Sequence, residues 1–428
     1  MAGSTLIAAA LVLSHDEQLE RLAIAVPEAL ETAVIGGDPC YDRMLDSARF
    51  RRRYRTALGV NDHRQLIVLT STWSSNSLLG AGPDLIRRLL AELPIDSFQC
   101  ALIAHPNIWY GHGPGQLRTW LADCRRAGLI LIPPDAGWQA ALLAADLVIG
   151  DHGSAATYAA ALGRPVLLAT FPEHDVVPGT AVASLGRSAP RLHPGSSLRT
   201  QVEAAIGGHV PERYAEVTRL ISAVPGESPQ RIRRLCYELM RLPEPTTEPG
   251  LRPLSVAGLT PRSAPPAAML VSAEWFNDMT MLRLQRTPVD TSVRAVDIPA
   301  GATTHSVVHN AHPVRGLRRT ADVVFGMNDE AGGDAGSWLR EVLAEHPACA
   351  LAALVSDRSC QVRWRTGEEA ELATAEPDGL DASVLASVAY LAMDGGRSRI
   401  DVEVGGRSRR VTIRRPRSVI PRARRSDD

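Results

Sequence analysis

The stretch that decides the fold is residues 145–169, which read ADLVIGDHGSAATYAAALGRPVLLA. The apolar run 147–149 predicts a short buried strand, and the polar residues 151–154 predict a turn after it. The Ala-rich residues beyond the turn predict a helix, and 166–169 predict the next strand. The start of a helix exposes backbone N–H groups at the positive end of its dipole. This turn therefore suits an anion, and the alternative is a polar turn that only caps the helix.

Strands and helices alternate upstream of this stretch. Apolar runs at 66–69, 100–104 and 129–132 predict strands, and the segments between them have the spacing of amphipathic helices. Two further runs, 6–13 and 33–35, predict strands near the start of the chain, the first of them buried. This alternation predicts an α/β fold with a doubly wound parallel sheet and right-handed crossovers.

Prolines mark the boundary between two predicted domains. Seven of them lie between residues 243 and 266, which we expect to form a linker. Residues 1–242 would then form the α/β domain, and 267–418 a smaller α+β domain in which no motif indicates chemistry. Within the second domain, the alternation that begins at Ile400 and resumes after a Gly-Gly pair predicts a hairpin. Residues 419–428 form a basic tail that we expect to be disordered.

Composition excludes several classes of protein. The net charge of -1 argues against binding of nucleic acid by the whole surface. No apolar run is long enough to span a bilayer, so we expect at most peripheral membrane contact. The apolar run 6–13 lacks the basic lead and cleavage pattern of a signal peptide. Six scattered cysteines without a C-x-x-C pair agree with reduced thiols, and we expect a cytoplasmic protein.

Polar clusters follow three of the predicted strands. Ligands of open α/β sheets bind outside the carboxyl ends of the strands, so residues 70–75, 105–107 and 151–154 should meet at one edge. Hydroxyl groups, backbone N–H groups and an imidazole there would suit a nucleotide diphosphate. The candidate substrate-binding residues are Thr70, Ser71, Thr72, Asn107, Asp151, His152, Gly153, Ser154 and Thr157.

These clusters, together with the Gly37-Asp38-Pro39 turn, the His105-Pro106 pair and their order along the chain, carry a resemblance. Residues 5–240 resemble the C-terminal, donor-binding half of GT-B glycosyltransferases, a Rossmann-like domain. The resemblance is closest to the CDP-glycerol glycerophosphotransferases and the UDP-N-acetylglucosamine 2-epimerases. It implies that His105 is catalytic and offsets charge on the donor pyrophosphate, while the start of the helix after residue 153 holds the phosphates.

The resemblance also implies a reaction. The donor would be a nucleotide diphosphate, either CDP-glycerol or a UDP-sugar or other NDP-sugar. It would pass a glycerophosphate or glycosyl group to a cell-envelope-type acceptor. No redox cofactor would take part. GT-B enzymes have a preceding domain that holds the acceptor, so we expect a partner chain, a missing N-terminal domain or residues 267–418 to supply that side.

Two departures keep other functions open. Epimerases have acidic residues where this chain has Thr157 and Tyr158, so epimerase chemistry is the third choice. The same departure and the lack of an acceptor domain favour the main alternative, a non-catalytic scaffold or binding protein derived from a truncated GT-B fold. Nucleic acid is not expected as a partner. Binding of nucleic acid through the basic tail is the fourth hypothesis.

Two further clusters invite a functional interpretation. His305, His309 and His312 would suggest a metal, but the segment is predicted to be extended and lacks the helical face that such a site needs, so we expect no metal. Four arginines lie on the helix predicted over residues 44–58. A solvated helix face is the favoured interpretation of this cluster, and an anion-binding role is the alternative.

Overall fold

The computed structural model describes residues 7–259, 266–277, 279–291, 301–375, 381, 383–393 and 396–415. Contacts divide the chain into two units. Unit 1 comprises the described residues of Met1–Leu93 and Phe98–Ala264, and unit 2 those of Pro94–Ser97 and Pro265–Asp428. Segment 94–97 thus interrupts unit 1 in sequence. Across the described ranges, no helix combines the length and the apolarity needed to cross a membrane.

Unit 1 is built from short strands and helices in alternation. Its strands are β1 (Leu11–Leu13), β2 (Ala33–Ile35), β3 (Gln65–Ser71), β4 (Phe98–Ala104), β5 (Ile130–Ile132), β6 (Leu147–Gly150) and β7 (Val166–Leu168). Its helices are α1 (Asp16–Ala25), α2 (Pro39–Ser47), α3 (Arg51–Ala57), α4 (Leu78–Ala81), α5 (Leu85–Glu92), α6 (Pro106–His112), α7 (Pro114–Trp120), α8 (Ala122–Arg126), α9 (Trp138–Ala144), α10 (Ser154–Ala161), α11 (Ala181–Ser188), α12 (Leu198–Gly207), α13 (Ala215–Ile221) and α14 (Ser228–Met240).

The main sheet of unit 1 is parallel and has the strand order β5-β4-β3-β6-β7. Successive side chains of a strand point to opposite faces. On β3, Leu66 and Val68 accordingly join one core cluster, and Ile67 and Leu69 join another on the opposite face. All four side chains are fully buried. Because helices cover both faces, the prediction of a doubly wound parallel sheet is confirmed for unit 1.

The parallel pair β1–β2 is more exposed to solvent than the main sheet. Residues 7–10 form no strand, so the predicted strand over 6–13 is reduced to three residues of intermediate or exposed character. Val12 is 43% and Val34 37% exposed, and α1 has no buried residue. The prediction of a buried strand was therefore wrong here. Burial of a parallel strand requires neighbouring strands and a covering helix on each face.

Unit 2 has a different architecture. Its strands are β8 (Ala268–Phe276), β9 (Met281–Pro288), β10 (Thr303–His309), β11 (Val323–Met327), β12 (Leu351–Val355), β13 (Ser359–Trp364), β14 (Glu369–Thr374), β15 (Arg399–Val404) and β16 (Arg407–Arg414). Its helices are α15 (Arg315–Thr320), α16 (Ala335–Glu345) and α17 (Ser383–Leu391). These nine described strands close into a barrel in the order β10-β11-β12-β13-β14-β16-β15-β9-β8.

The closed barrel corrects the prediction of a smaller α+β domain. Closure depends on the parallel pairing of β15 with β9, which brings Asp401 beside Met281, and on β8 lying antiparallel to both β9 and β10. Hydrophobic alternation reveals strands, but it does not reveal which distant strands pair. The predicted hairpin is confirmed, since β15 and β16 pair from Val404 and Arg407 outward.

A buried arginine joins segment 94–97 to the barrel of unit 2. Arg286 on β9 is 2% exposed. Its Nη2 lies 2.6 Å from Asp96 Oδ1 and its Nη1 3.1 Å from Asp381 Oδ2. Its backbone oxygen accepts the N–H of Ile95 at 2.9 Å. Burial alone would lower the pKa of Arg286, but the two carboxylates raise it above the ordinary value.

The predicted linker is partly packed. Residues 243–259 contain no helix or strand, yet Leu254 and Leu259 are buried in the core of unit 1. The contact-based division falls between residues 264 and 265. Residues 260–265 of that linker and the whole predicted tail, 419–428, lie outside the described residues.

Candidate functional site

A cleft of about 360 Å³ lies in unit 1 where four helices begin. Its lining includes Glu17 from the first turn of α1, Asp38 ahead of α2, Ser154 and Thr157 of α10, and Thr180 ahead of α11. The N-terminal end of a helix carries a partial positive charge. Four such ends at one cleft favour a ligand with negative charge.

The four helix starts differ in how they are capped. His15, Asp38 and Thr180 each accept a backbone N–H from the first turn of the helix that follows, α1, α2 and α11 respectively. The residue before α10 is Gly153, and no described side chain accepts an N–H from the first turn of α10. Unpaired N–H groups at a helix start require a partner. Of the four helix starts, that of α10 is therefore the one whose first-turn N–H groups have no side-chain acceptor among the described residues.

Gly153 is required by close approach. A Cβ atom on this residue would lie 2.6 Å from Thr72 Cγ2 and 3.0 Å from Asp151 Oδ1. Thr157 Oγ1 donates to the Gly153 oxygen at 3.1 Å, which fixes the first turn of α10. The helix start is thus pressed against the loop that follows β3.

Asp151 organises this loop from within. It is 1% exposed, and its Oδ2 accepts the N–H of Thr72 at 2.8 Å, the Thr72 hydroxyl at 2.9 Å and the N–H of Leu78 at 2.9 Å. Its Oδ1 accepts the N–H of Gly153 at 3.1 Å. A carboxylate has about four acceptor positions, and here the protein fills them. Asp151 and Thr72, both predicted to bind substrate, are bonded to each other.

Thr70 and Ser71 lie beneath the turn at the end of β3. Both are buried, and a Cβ atom on Gly150 would lie 2.5 Å from Thr70 Oγ1. The Ser71 hydroxyl donates to the Thr72 oxygen at 2.9 Å and accepts the N–H of Leu79 at 3.1 Å. Thr70 Oγ1 has no hydrogen-bond partner among the described residues.

His105 lies at the same edge of the sheet, on the next strand. The register pairs Ala104 of β4 with Ser71 of β3, and the N–H of His105 donates to the Ser71 oxygen at 3.0 Å. His105 Nδ1 accepts the N–H of Asn107 at 3.1 Å and so caps α6. Asn107 is exposed. Neither residue is among the described residues that line the cleft.

The predicted site residues therefore fall into two groups. His152, Ser154 and Thr157 line the cleft. The others lie at the same edge of the sheet without lining it: Thr70, Ser71, Thr72, His105, Asn107, Asp151 and Gly153. His152 is partly exposed, and its Nδ1 is buried without a hydrogen-bond partner in the described chain. An imidazole nitrogen beside an uncapped helix start can contact a bound anion.

Asp38 and Tyr158 line the cleft but were not among the predicted site residues. The Tyr158 hydroxyl donates to Asp38 Oδ2 at 2.7 Å. Burial raises the pKa of Tyr158, and the bond to the Asp38 carboxylate raises it further, so the phenol keeps its proton. Asp38 could have been predicted from the sequence, because it belongs to the Gly-Asp-Pro turn that carries part of the resemblance. No sequence motif marks Tyr158 as a site residue.

Three carboxylates line the rest of the cleft wall, together with apolar side chains of residues 176–182 and 220–221. Glu17, Asp38 and Asp175 face it together with Arg21, whose Nε lies 2.8 Å from Glu17 Oε2. Carboxylate oxygens accept hydrogen bonds from hydroxyl groups. This part of the cleft therefore offers hydrogen-bond acceptors.

The three histidines considered as metal ligands have separate partners. His305 stacks on Tyr390 with ring centroids 4.7 Å apart. His309 Nε2 lies 3.3 Å from Glu330, and His312 Nε2 lies 3.1 Å from the buried Asp290. Within the described ranges, no group of three or more His, Cys, Asp or Glu side chains could hold a metal ion.

No protein-family model and no curated protein sequence matches the chain. Similar solved structures include the wall teichoic acid polymerase TagF, at 18% identity and a TM-score of 0.42 over 54% of this chain and 58% of that chain. They also include UDP-GlcNAc 2-epimerase from Neisseria meningitidis bound to UDP-GlcNAc, at 16% identity and a TM-score of 0.32 over 53% of this chain and 59% of that chain.

A glycosyltransferase from Rickettsia africae is similar at 10% identity with a TM-score of 0.33, over 54% of this chain and 64% of that chain. The chain thus spans less than two thirds of the length of each of these proteins. The epimerases, one of the two groups that the sequence motifs resemble, are among them.

Proposed function

We propose that unit 1 binds the diphosphate of a nucleotide-activated donor at the start of α10. The observation that carries this proposal is the uncapped first turn of α10 inside a cleft to which three other helix starts contribute. Backbone N–H groups at a helix start bind phosphate oxygens without a basic side chain. This matters here because Arg21, the arginine of the cleft wall, is already paired with Glu17.

The carboxylates that line the cleft suit the hydroxyl-bearing part of such a donor. Asp38, Glu17 and Asp175 provide acceptors for the hydroxyl groups of a ribose, a glycerol or a sugar. Tyr158 fixes one oxygen of Asp38, which orients that carboxylate. CDP-glycerol, UDP-sugars and other NDP-sugars share this combination of diphosphate and hydroxyl groups, and we propose them as the donor class.

We propose transfer of a glycerophosphate or glycosyl group to a cell-envelope-type acceptor as the reaction. His152, which lines the cleft, would contact the leaving pyrophosphate. His105 is retained as the second histidine for this role, because its bond to Asn107 occupies one ring nitrogen and leaves the other for a ligand. Charge stabilisation of this kind lowers the barrier to cleavage of the donor.

The acceptor side requires a further component in this proposal. The pair β1–β2 exposes Val12 and Val34, and parallel sheets are normally covered on both faces. We propose that an α/β domain on a partner chain, which would carry the acceptor, packs against this pair.

A non-catalytic binding protein is the second proposed function. Thr157 donates to the Gly153 oxygen and Tyr158 to Asp38, so both hydroxyl groups already serve as donors within the protein. The same geometry disfavours an epimerase. Donor that binds tightly but is not consumed, with any acceptor fraction added, would select this alternative over a transferase.

Thermal unfolding of the full chain with millimolar CDP-glycerol, UDP or UDP-N-acetylglucosamine tests donor binding. A ligand at a hundred times its Kd stabilises the folded state by about 2.7 kcal/mol, which is readily measured. His152→Ala should weaken binding about tenfold, equivalent to about 1.4 kcal/mol. The matched control is His63→Ala, because His63 is exposed and lies outside the cleft. Donor binding is refuted if none of the nucleotides shifts the transition.

A further inference from the structure

A second charged cluster lies at the amino-terminal edge of the sheet in unit 1. Asp146 immediately precedes β6, and its carboxylate binds two arginines of α3. Arg51 Nη2 lies 2.5 Å from Oδ1, and Arg55 Nη1 lies 2.7 Å from Oδ2. Arg164, two residues before β7, lies beside Asp146, because the parallel register pairs Val148 with Val166 and the N–H of Val148 donates to the Pro165 oxygen at 2.9 Å. Two guanidinium groups are therefore bonded to one carboxylate, and a third lies next to it.

Two donors of this cluster have no acceptor. The Nε atoms of Arg51 and Arg164 are buried without a hydrogen-bond partner in the described part of the chain. More than nine tenths of buried polar groups in proteins are paired, so two such donors in one cluster require an explanation. The pKa of Arg164 is lowered to about 10, chiefly by burial. The positive charge of Arg51 also lowers this pKa, whereas the negative charge of Asp146 raises it.

The other groups of the cluster are fixed. Arg55 is 6% exposed and also donates to the backbone oxygens of Ala144, Asn61 and Arg64. Arg51 donates to the oxygens of Ala144 and Ala145. These bonds hold two guanidinium groups in place before any ligand arrives, which reduces the entropy lost on binding.

We propose that this amino-edge cluster, Arg51, Arg55 and Arg164 around Asp146, binds the phosphate group of a small molecule. A phosphate presents several acceptor oxygens and up to two negative charges, which match the unpaired Nε donors and the excess positive charge. Guanidinium groups bind phosphate through paired hydrogen bonds. Asp146 and Asp151 lie about 16 Å apart, the rise of five residues in an extended strand, so the cluster is at the opposite edge of the sheet from the start of α10. It does not depend on the proposed donor function.

Titration of the full chain with inorganic phosphate and with glycerol 3-phosphate tests the site. Ionic strength is held constant with sodium chloride, since exposed charges respond to salt alone. We expect both phosphates to raise the Tm of the wild type and Arg164→Gln to weaken their affinity at least about tenfold. Without phosphate, Arg164→Gln should unfold at the wild-type temperature or higher, because the variant loses a charge that burial and the neighbouring Arg51 and Arg55 disfavour.

Two comparisons distinguish this site from other anion binding. Arg52→Gln is the matched control, since Arg52 is exposed on the same helix, and it should bind phosphate like the wild type. The rise in Tm with phosphate should also persist in His152→Ala. Tighter binding of glycerol 3-phosphate identifies an organic phosphate as the occupant, and tighter binding of inorganic phosphate identifies the free ion.

Three results would overturn the proposal. One is a wild-type Tm that phosphate does not raise beyond the effect of chloride. Another is an Arg164→Gln variant that keeps its phosphate affinity. The third is loss of the effect in His152→Ala, which would place the anion in the cleft. Arg164→Lys keeps the charge without the planar fork and should retain weaker binding, which separates loss of charge from misfolding.

Discussion

Strand β6 has an aspartate at each end, and the two are used differently. Asp151, after the strand, is 1% exposed and accepts bonds from neutral backbone and hydroxyl groups. Asp146, before it, binds two guanidinium groups and the N–H of Leu66. At the carboxyl edge the aspartate fixes the loop and leaves the start of α10 uncapped. At the amino edge it leaves positive charge uncompensated.

Removal of the carboxylate at position 151 should have the largest effect. Asp151→Ala leaves the N–H groups of Thr72, Leu78 and Gly153 buried without an acceptor, at about 1–3 kcal/mol each. We expect a loss of about 4 kcal/mol in the free energy of unfolding, measured by urea denaturation. Asp84→Ala, at an exposed position, serves as the control. A loss below about 1 kcal/mol would show that the loop does not depend on Asp151.

Removal of the charge at the other end of β6 should cost less. Asp146→Asn leaves Arg55 without a charged partner, which costs about 3–5 kcal/mol for a fully buried pair. The Asp146 side chain is 21% exposed, and solvent screening reduces the expected loss to about 2 kcal/mol. The control is Asp46→Asn, which removes an exposed pair with Arg49. If the loss equals that of Asp151→Ala, the two ends of the strand do not differ as proposed.

The smallest of the three effects concerns the cleft. Tyr158→Phe removes one hydrogen bond to Asp38 and should cost about 1–2 kcal/mol at neutral pH. Because the folded pKa of Tyr158 is raised above its ordinary value of 10.0, this contribution is complete below pH 10 and is lost as the pH rises above it. The stability difference between wild type and variant should therefore shrink between about pH 10 and 11.

Chemical denaturation at several pH values measures this difference. Tyr110→Phe is the matched control, since Tyr110 is 68% exposed. A difference that stays constant up to pH 11 would mean that the hydroxyl of Tyr158 ionises equally in the folded and unfolded chain. Donor affinity measured in the same variant tests whether the oriented Asp38 carboxylate contacts the ligand.

The parallel sheet and the helix start at Ser154 could be predicted from the sequence because both depend on local pattern. An apolar run, a polar turn with Gly153 and an Ala-rich segment are contiguous in the chain. The contact between Tyr158 and Asp38 spans 120 positions and has no local signal. Asp151 shows a further limit, since an acid at a turn suits both a ligand contact and a loop bond, and only its burial favours the second.

The barrel of unit 2 shows the same limit at the level of the fold. The hairpin β15–β16 follows from alternation and a Gly-Gly turn, whereas ring closure follows from pairings between strands more than 100 residues apart, such as Asp401 with Met281. The amino-edge cluster was visible only in part. The sequence places the arginines of α3 on one helix, but Arg164 joins them only because β7 lies beside β6.

Segment 94–97 has a practical consequence for dividing this protein. A gene fragment that starts at residue 265 encodes every strand of the barrel but omits Asp96, one of the two carboxylates that neutralise Arg286. It also omits the backbone that fills the space beside Gly405, where a Cβ atom would lie 2.6 Å from the Asp96 oxygen. Unit 2 is therefore a discontinuous module, and expressing it separately calls for a circular permutation or a grafted 94–97 loop rather than a single cut.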